Sequence, residues 1–240
     1  MDKMKIEIWS DIACPFCYIG KRKLEAALAQ FPHKDKVELV WNSYELDPEL
    51  PKEALESKIY GYFADKHNMS VNEAHETMER TAALAKEVGL NFDYDNLIVA
   101  NTSDALRLVK LAKESGLATE AEEVLFDAYF AKGEDVSDKN VLVKLGTKIG
   151  LKEDDILKML DSDKYLNEIK KDIAYSENVL NLEYIPFYVF NNEQMVQGSI
   201  PVEDYLEVLT KAYADWEKGI SNNSGEIISG KSCSIDGICS

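Results

Sequence analysis

Residues 10–28 read SDIACPFCYIGKRKLEAAL. Two of the chain's four cysteines, Cys14 and Cys17, stand three apart in this stretch, with Pro15 and Phe16 between them. Ahead of them, MKIEIW (4–9) alternates in the manner of a strand. Behind them, Ile19, Leu24, Ala27, Leu28 and Phe31 gather on one face of a helix over about 15–31. Pro15 fits the first turn of such a helix, where its missing N–H costs nothing. A second apolar run, VELVWNSY at 37–44, completes a βαβ unit with an expected right-handed crossover.

This placement matters because the thiolate is the reactive form of cysteine, and the free N–H groups of a helix N-terminus stabilise it. Cys14 is therefore expected to be the exposed nucleophile. Cys17, one turn further on, is expected to resolve a mixed disulfide formed on Cys14. Phe16 offers an apolar contact beside them and is expected to contact substrate. Two other readings of the pair stay open. One is structural zinc, which would draw on Cys233 and Cys239 or on His33, His67 and His75; the other is a pair of inert, half-buried thiols. Asp11 is expected to satisfy the loop backbone rather than move protons, since a carboxylate aimed at a thiolate disfavours it. Lys21 and Arg22 are expected on the solvated helix face.

From 51 to 180 the pattern becomes helical, with about six helices. Ser70-x-x-Glu73 and Thr119-x-x-Glu122 match capping boxes, and Gly89, Gly116, Gly133 and Gly150 fall where helices should stop. Strand patterns return with FYVF (187–190) and QMVQ (194–197) around a short Asn-rich turn, and Pro201 then marks a final helix. The expected organisation is an α/β fold with a βαβ…ββα core: residues 1–50 and 181–218 form its two parts, and 51–180 are a large α-helical insertion. Residues 219–240, rich in Ser, Gly and Asn, are expected to be a flexible tail carrying Cys233 and Cys239.

The 240 residues are 45% hydrophobic and 30% charged, a composition suited to a sizeable core, and the net charge of -17 argues against a nucleic-acid partner. The N-terminus runs into strand-like sequence without an apolar signal region, and the longest apolar run, YIPFYVF, is too short for a bilayer. A cytoplasmic protein with no membrane partner is expected.

The strand–CPFC–helix opening, the Ile-Pro before the hairpin and the inserted helices together resemble the thioredoxin superfamily. Within it the chain is similar to the DsbA-like, FrnE-type thiol-disulfide oxidoreductases over about residues 4–218. SDIACPFCYIGKRKLE and IPFYVFNNEQMVQGSIPVEDYLEVL carry the likeness. The resemblance implies a thioredoxin-like fold and exchange or isomerisation of protein or peptide disulfides through Cys14 and Cys17. It further implies a cis Ile185–Pro186 peptide beside the dithiol, with Ile185 offering its backbone to substrate and Pro186 holding it in place. No cofactor or metal is required, and a cellular thiol reductant or oxidant, glutathione among them, is the redox partner. Cys233 and Cys239 resemble an additional C-terminal pair and are candidates for a second redox centre. The rivals are a glutathione-dependent transferase or hydroxychromene-carboxylate-type isomerase, and a zinc-bound or non-catalytic protein-binding scaffold.

Overall fold

The computed structural model describes residues 3–55, 58–219 and 227–234. Strand β1 (Met4–Ser10) buries Met4, Ile6 and Ile8 while Lys5 stays exposed, the alternation its sequence dictates. Helix α1 (Pro15–Gln30) follows, then β2 (Val37–Ser43), which pairs parallel with β1 from Met4–Val37 to Ser10–Ser43. The βαβ unit is thus in place at the expected bounds.

Among the described residues the helical insertion holds α2 (Ile59–Lys66), α3 (Val71–Glu87), α4 (Ser103–Lys113), α5 (Ala118–Phe126), α6 (Lys139–Lys148), α7 (Glu153–Leu160) and α8 (Leu166–Asn178), one more helix than expected. A turn of π-helix, Asp127–Ala131, prolongs α5. The Ser70 capping box forms with both of its hydrogen bonds. The Thr119 box does not. The N-cap of α5 is Leu117, two residues earlier, the Thr119 hydroxyl receives the indole N–H of Trp41 at 2.9 Å, and Glu122 is buried. Gly89, Gly116, Gly133 and Gly150 all adopt positive φ at helix ends.

The chain then returns through β3 (Tyr184–Ile185), β4 (Phe187–Phe190) and β5 (Gln194–Gln197). Strand β4 lies antiparallel between β1 and β5, and Asn191 and Asn192 turn the hairpin with φ of 51° and 57°. Helix α9 (Val202–Lys218) starts after Pro201 and packs on α1. Beyond it, part of the segment expected to be a flexible tail is instead strand. β6 (Ile227–Ser229) adds parallel to β5, giving the sheet order β2-β1-β4-β5-β6, and β7 (Cys233–Ser234) pairs antiparallel with β3. Backbone pairing to pre-formed edges orders this stretch despite its loop-like composition.

Candidate active site

Cys14 is the N-cap of α1, with extended backbone, and Cys17 lies in the first turn, its N–H donating to the Cys14 carbonyl at 3.1 Å. Both are free thiols. The loop before them is held by Asp11. Its carbonyl accepts the Cys14 N–H at 3.0 Å, while its carboxylate accepts Ala13 N–H at 3.2 Å and Leu46 N–H at 2.7 Å. Asp11 thus ties the segment before α1 to the chain leaving β2, the backbone role expected for it. Full burial raises its pKa to about 6 against the lowering effect of these hydrogen bonds.

The Ile185–Pro186 peptide is cis, as the resemblance implied. The Cys14 sulfur lies 3.8 Å from the Ile185 carbonyl oxygen, so the two distant segments meet in one site. Gly20 makes room for this approach. A Cβ there would stand 3.2 Å from Pro186 Cγ and 3.4 Å from Tyr205 Oη, and would collide with Tyr188 Oη.

Burial changes three of the expected roles. Cys14 is 0% exposed, so the exposed nucleophile of the sequence reading is covered; it shares one buried cluster with Cys17, Ile185 and Cys233. Phe16 is buried in that cluster as well, and it packs the interior rather than presenting a surface for substrate. Lys21 is not a solvated helix residue: its side chain is 2% exposed, and its ammonium pairs with Glu25 and Glu123, each at 2.6 Å. Glu123 also receives Arg22 and the Tyr18 hydroxyl, the latter at 2.9 Å. Although burial pushes Glu123 upward, the Lys21, Arg22 and Tyr18 donors hold its carboxyl below the usual range. This cluster fastens the dithiol helix to α5 of the insertion.

Burial, and then the hydrogen bond and charge of Cys14, raise the Cys17 thiol well above its ordinary value. At neutral pH Cys17 therefore stays protonated, which suits a resolving thiol that acts second. Beside Pro15 a cavity of about 70 Å³ separates the dithiol end of α1 from the insertion, lined by Asp11, Tyr62, Phe63, Tyr94 and Tyr129.

Cys233 is disulfide-bonded and stands opposite Ile185 in the β3–β7 register; Cys239 lies outside the described residues. His33 stacks on Tyr213, His67 packs against Phe63 and His75 against Tyr60. Among the described residues, no group of three or more His, Cys, Asp or Glu side chains is placed to hold a metal ion. Among them, too, no helix is long and apolar enough to cross a membrane. Gly20, the Lys21–Glu123 cluster and the β7 pairing are site features that sequence reasoning missed.

Comparison with known proteins bears on the family and the fold. Residues 5–210 match the family model described as a DSBA-like thioredoxin domain. The structure is similar to that of a probable DsbA oxidoreductase from Streptomyces coelicolor, with a TM-score of 0.82 and 32% identity, covering 99% of this chain and 98% of that one. The cytosolic disulfide reductase DsbM of Pseudomonas aeruginosa, solved with GSH, shares the fold at a TM-score of 0.59 and 16% identity, covering 90% of this chain and 98% of that one. The Bacillus subtilis (strain 168) protein YwbO is 24% identical over 217 residues, which span 89% of this chain and 97% of that protein. With its CPFC dithiol on the first helix and its matching domain, the chain belongs to the DSBA-like thioredoxin domain family.

Proposed function

We propose that the protein exchanges disulfides with protein or peptide substrates through Cys14 and Cys17. The observation that carries this reading is the pair of free thiols at the start of α1, with the first sulfur 3.8 Å from the Ile185 carbonyl oxygen. In the reducing direction the Cys14 thiolate attacks a substrate disulfide. A Cys14–substrate bond forms, the substrate S–S bond breaks, and the departing thiolate takes up a proton. Cys17 then loses its proton and attacks Cys14, releasing the second substrate thiol. Two electrons have passed from the dithiol to the substrate. The reverse sequence installs a disulfide, and return of Cys14 after rearrangement is isomerisation. Exchange needs no cofactor: after the reducing direction a cellular thiol such as glutathione reduces the pair again, and after the reverse direction a cellular oxidant such as a low-molecular-weight disulfide reoxidises it.

In the same reading Ile185 supplies main-chain contacts to the substrate, Pro186 holds that backbone, and Cys233 with Cys239 forms a second redox pair. Relay would move two electrons: the Cys14 thiolate opens the tail disulfide, Cys17 resolves the mixed disulfide, and the tail is left as two thiols. The position of Cys233 opposite Ile185 supports it.

The test is a thiol-trapping redox titration of the whole chain, with each cysteine mapped by peptide, alongside turnover of a disulfide-bonded peptide. Reversible pairing of Cys14 with Cys17, and loss of turnover in Cys14→Ser, are expected. Turnover retained by Cys14→Ser would overturn the assignment.

A further inference from the structure

Residues 227–234 run by successive backbone contacts to the strand whose Ile185 carbonyl faces Cys14. After β6, the Gly230 N–H donates to the Gln197 carbonyl at 2.7 Å. Ser199 and Lys231 then exchange two hydrogen bonds, of 2.5 and 3.1 Å. The chain next lies antiparallel to β3, with Cys233 opposite Ile185 and Ser234 opposite Tyr184. The approach is close enough to require glycine: a Cβ on Gly230 would stand 2.5 Å from the Ser199 oxygen and 2.6 Å from its carbonyl carbon. Ser232 is 5% exposed and Cys233 0%.

Ile185 is the residue whose carbonyl faces the Cys14 sulfur, and β7 already uses its edge. An extended peptide that adds to a strand edge consumes the edge's N–H and C=O groups, so two segments cannot hold it together. A tethered occupant also enjoys an effective concentration in about the millimolar range, against which a free peptide competes poorly.

We propose that residues 230–234 are a tethered occupant of the substrate edge beside Cys14, and that a protein or peptide disulfide reaches the dithiol only after this segment lifts. The proposal rests on the exchange function for its meaning but not for its test. It accounts for a nucleophile with no exposed surface, and it makes the docked strand a template for the substrate: an extended segment carrying a half-cystine opposite Ile185.

The experiment uses the full chain, fully reduced, in three forms: wild type, Gly230→Val, and a chain with 227–234 replaced by a Gly/Ser tract of equal length. Hydrogen exchange reads the Gly230 and Lys231 amides, and mass mapping reads the rate at which iodoacetamide labels Cys14. Wild type should protect both amides and label slowly. The Gly/Ser chain should label Cys14 at least about tenfold faster, and Gly230→Val should follow to the extent that its amides lose protection. Unprotected tail amides in wild type, or equal Cys14 labelling in wild type and the Gly/Ser chain, would overturn the proposal. Faster labelling in chains that turn over no disulfide would leave the docking in place and remove the exchange function instead.

Discussion

Ile185 and Cys233 stand opposite one another in an antiparallel pair, and the Ile185 carbonyl oxygen lies 3.8 Å from the sulfur of Cys14. A half-cystine is thereby delivered to the nucleophile's neighbourhood by backbone pairing alone. Removing the resolving thiol should reveal this. In Cys17→Ser, Cys14 can attack the tail disulfide but the mixed disulfide has no internal route onward. Non-reducing peptide mapping should then recover a Cys14–Cys233 cross-link, one that wild type does not accumulate. Cys17→Ser protein in which Cys14 remains a free thiol beside an intact tail disulfide would count against relay.

Gly20 sets how closely α1 can approach the Ile185–Pro186 turn. In Gly20→Ala the new methyl collides with Tyr188 Oη and presses on Pro186 Cγ at 3.2 Å. Overpacking of this kind costs about 1–3 kcal/mol. Tyr188→Phe removes the oxygen that the methyl meets, so the double variant should be more stable than Gly20→Ala alone. Urea denaturation of the four proteins of the cycle reads the coupling. Additive losses would show that the collision is relieved elsewhere.

Much of this architecture is legible in the sequence because it is locally encoded. The alternation in β1, the apolar face of α1 and the Asn191–Asn192 turn each obey a periodicity or a turn rule that a short window carries. The juxtaposition of Cys14 with Ile185 is not local, since 171 positions separate them, and only the resemblance to a family supplied it. Lys21 was misread because its partner Glu123 arrives from another helix, 102 positions away. β7 was missed for a different reason. A two-residue strand in Ser-rich sequence has no period to detect, and its order comes from an edge built by other residues.

Asp172 joins three elements near the carboxyl ends of β1 and β2. Its carboxylate pairs with Lys110 of α4 and accepts the Ser43 N–H at 2.9 Å, while its carbonyl accepts the Trp9 indole N–H at 3.0 Å. Lys110 is 4% exposed, so loss of the carboxylate leaves a buried ammonium uncompensated. Asp172→Ala should cost about 3–5 kcal/mol in urea denaturation. Lys110→Met in the same chain should return part of that loss, because the stranded charge goes with it. A double variant as unstable as the sum of the singles would remove the ion pair from the account.

Glu122 gives the protein a stability that falls as pH rises. It is 1% exposed, and among the described residues its Oε2 has no hydrogen-bond partner. Burial raises its pKa from 4.5 to about 8, with Lys21 and Lys110 opposing the rise. The folded protein therefore holds a proton that the unfolded chain releases. The resulting stability is fully present below the unfolded value of 4.5, and it is lost as pH climbs through about 8. Asp11 acts with the same sign between 3.8 and about 6, so measurements above that window leave its contribution out. Between about pH 6.5 and 8.5 wild type should lose on the order of 2 kcal/mol, at about 1.4 kcal/mol per pH unit until the folded pKa is reached. Glu122→Gln removes the titration and should flatten the profile over the same interval. A slope unchanged in Glu122→Gln would assign it to another group and mean that Glu122 is already ionised in the fold, with Lys21 and Lys110 opposing the rise in its pKa.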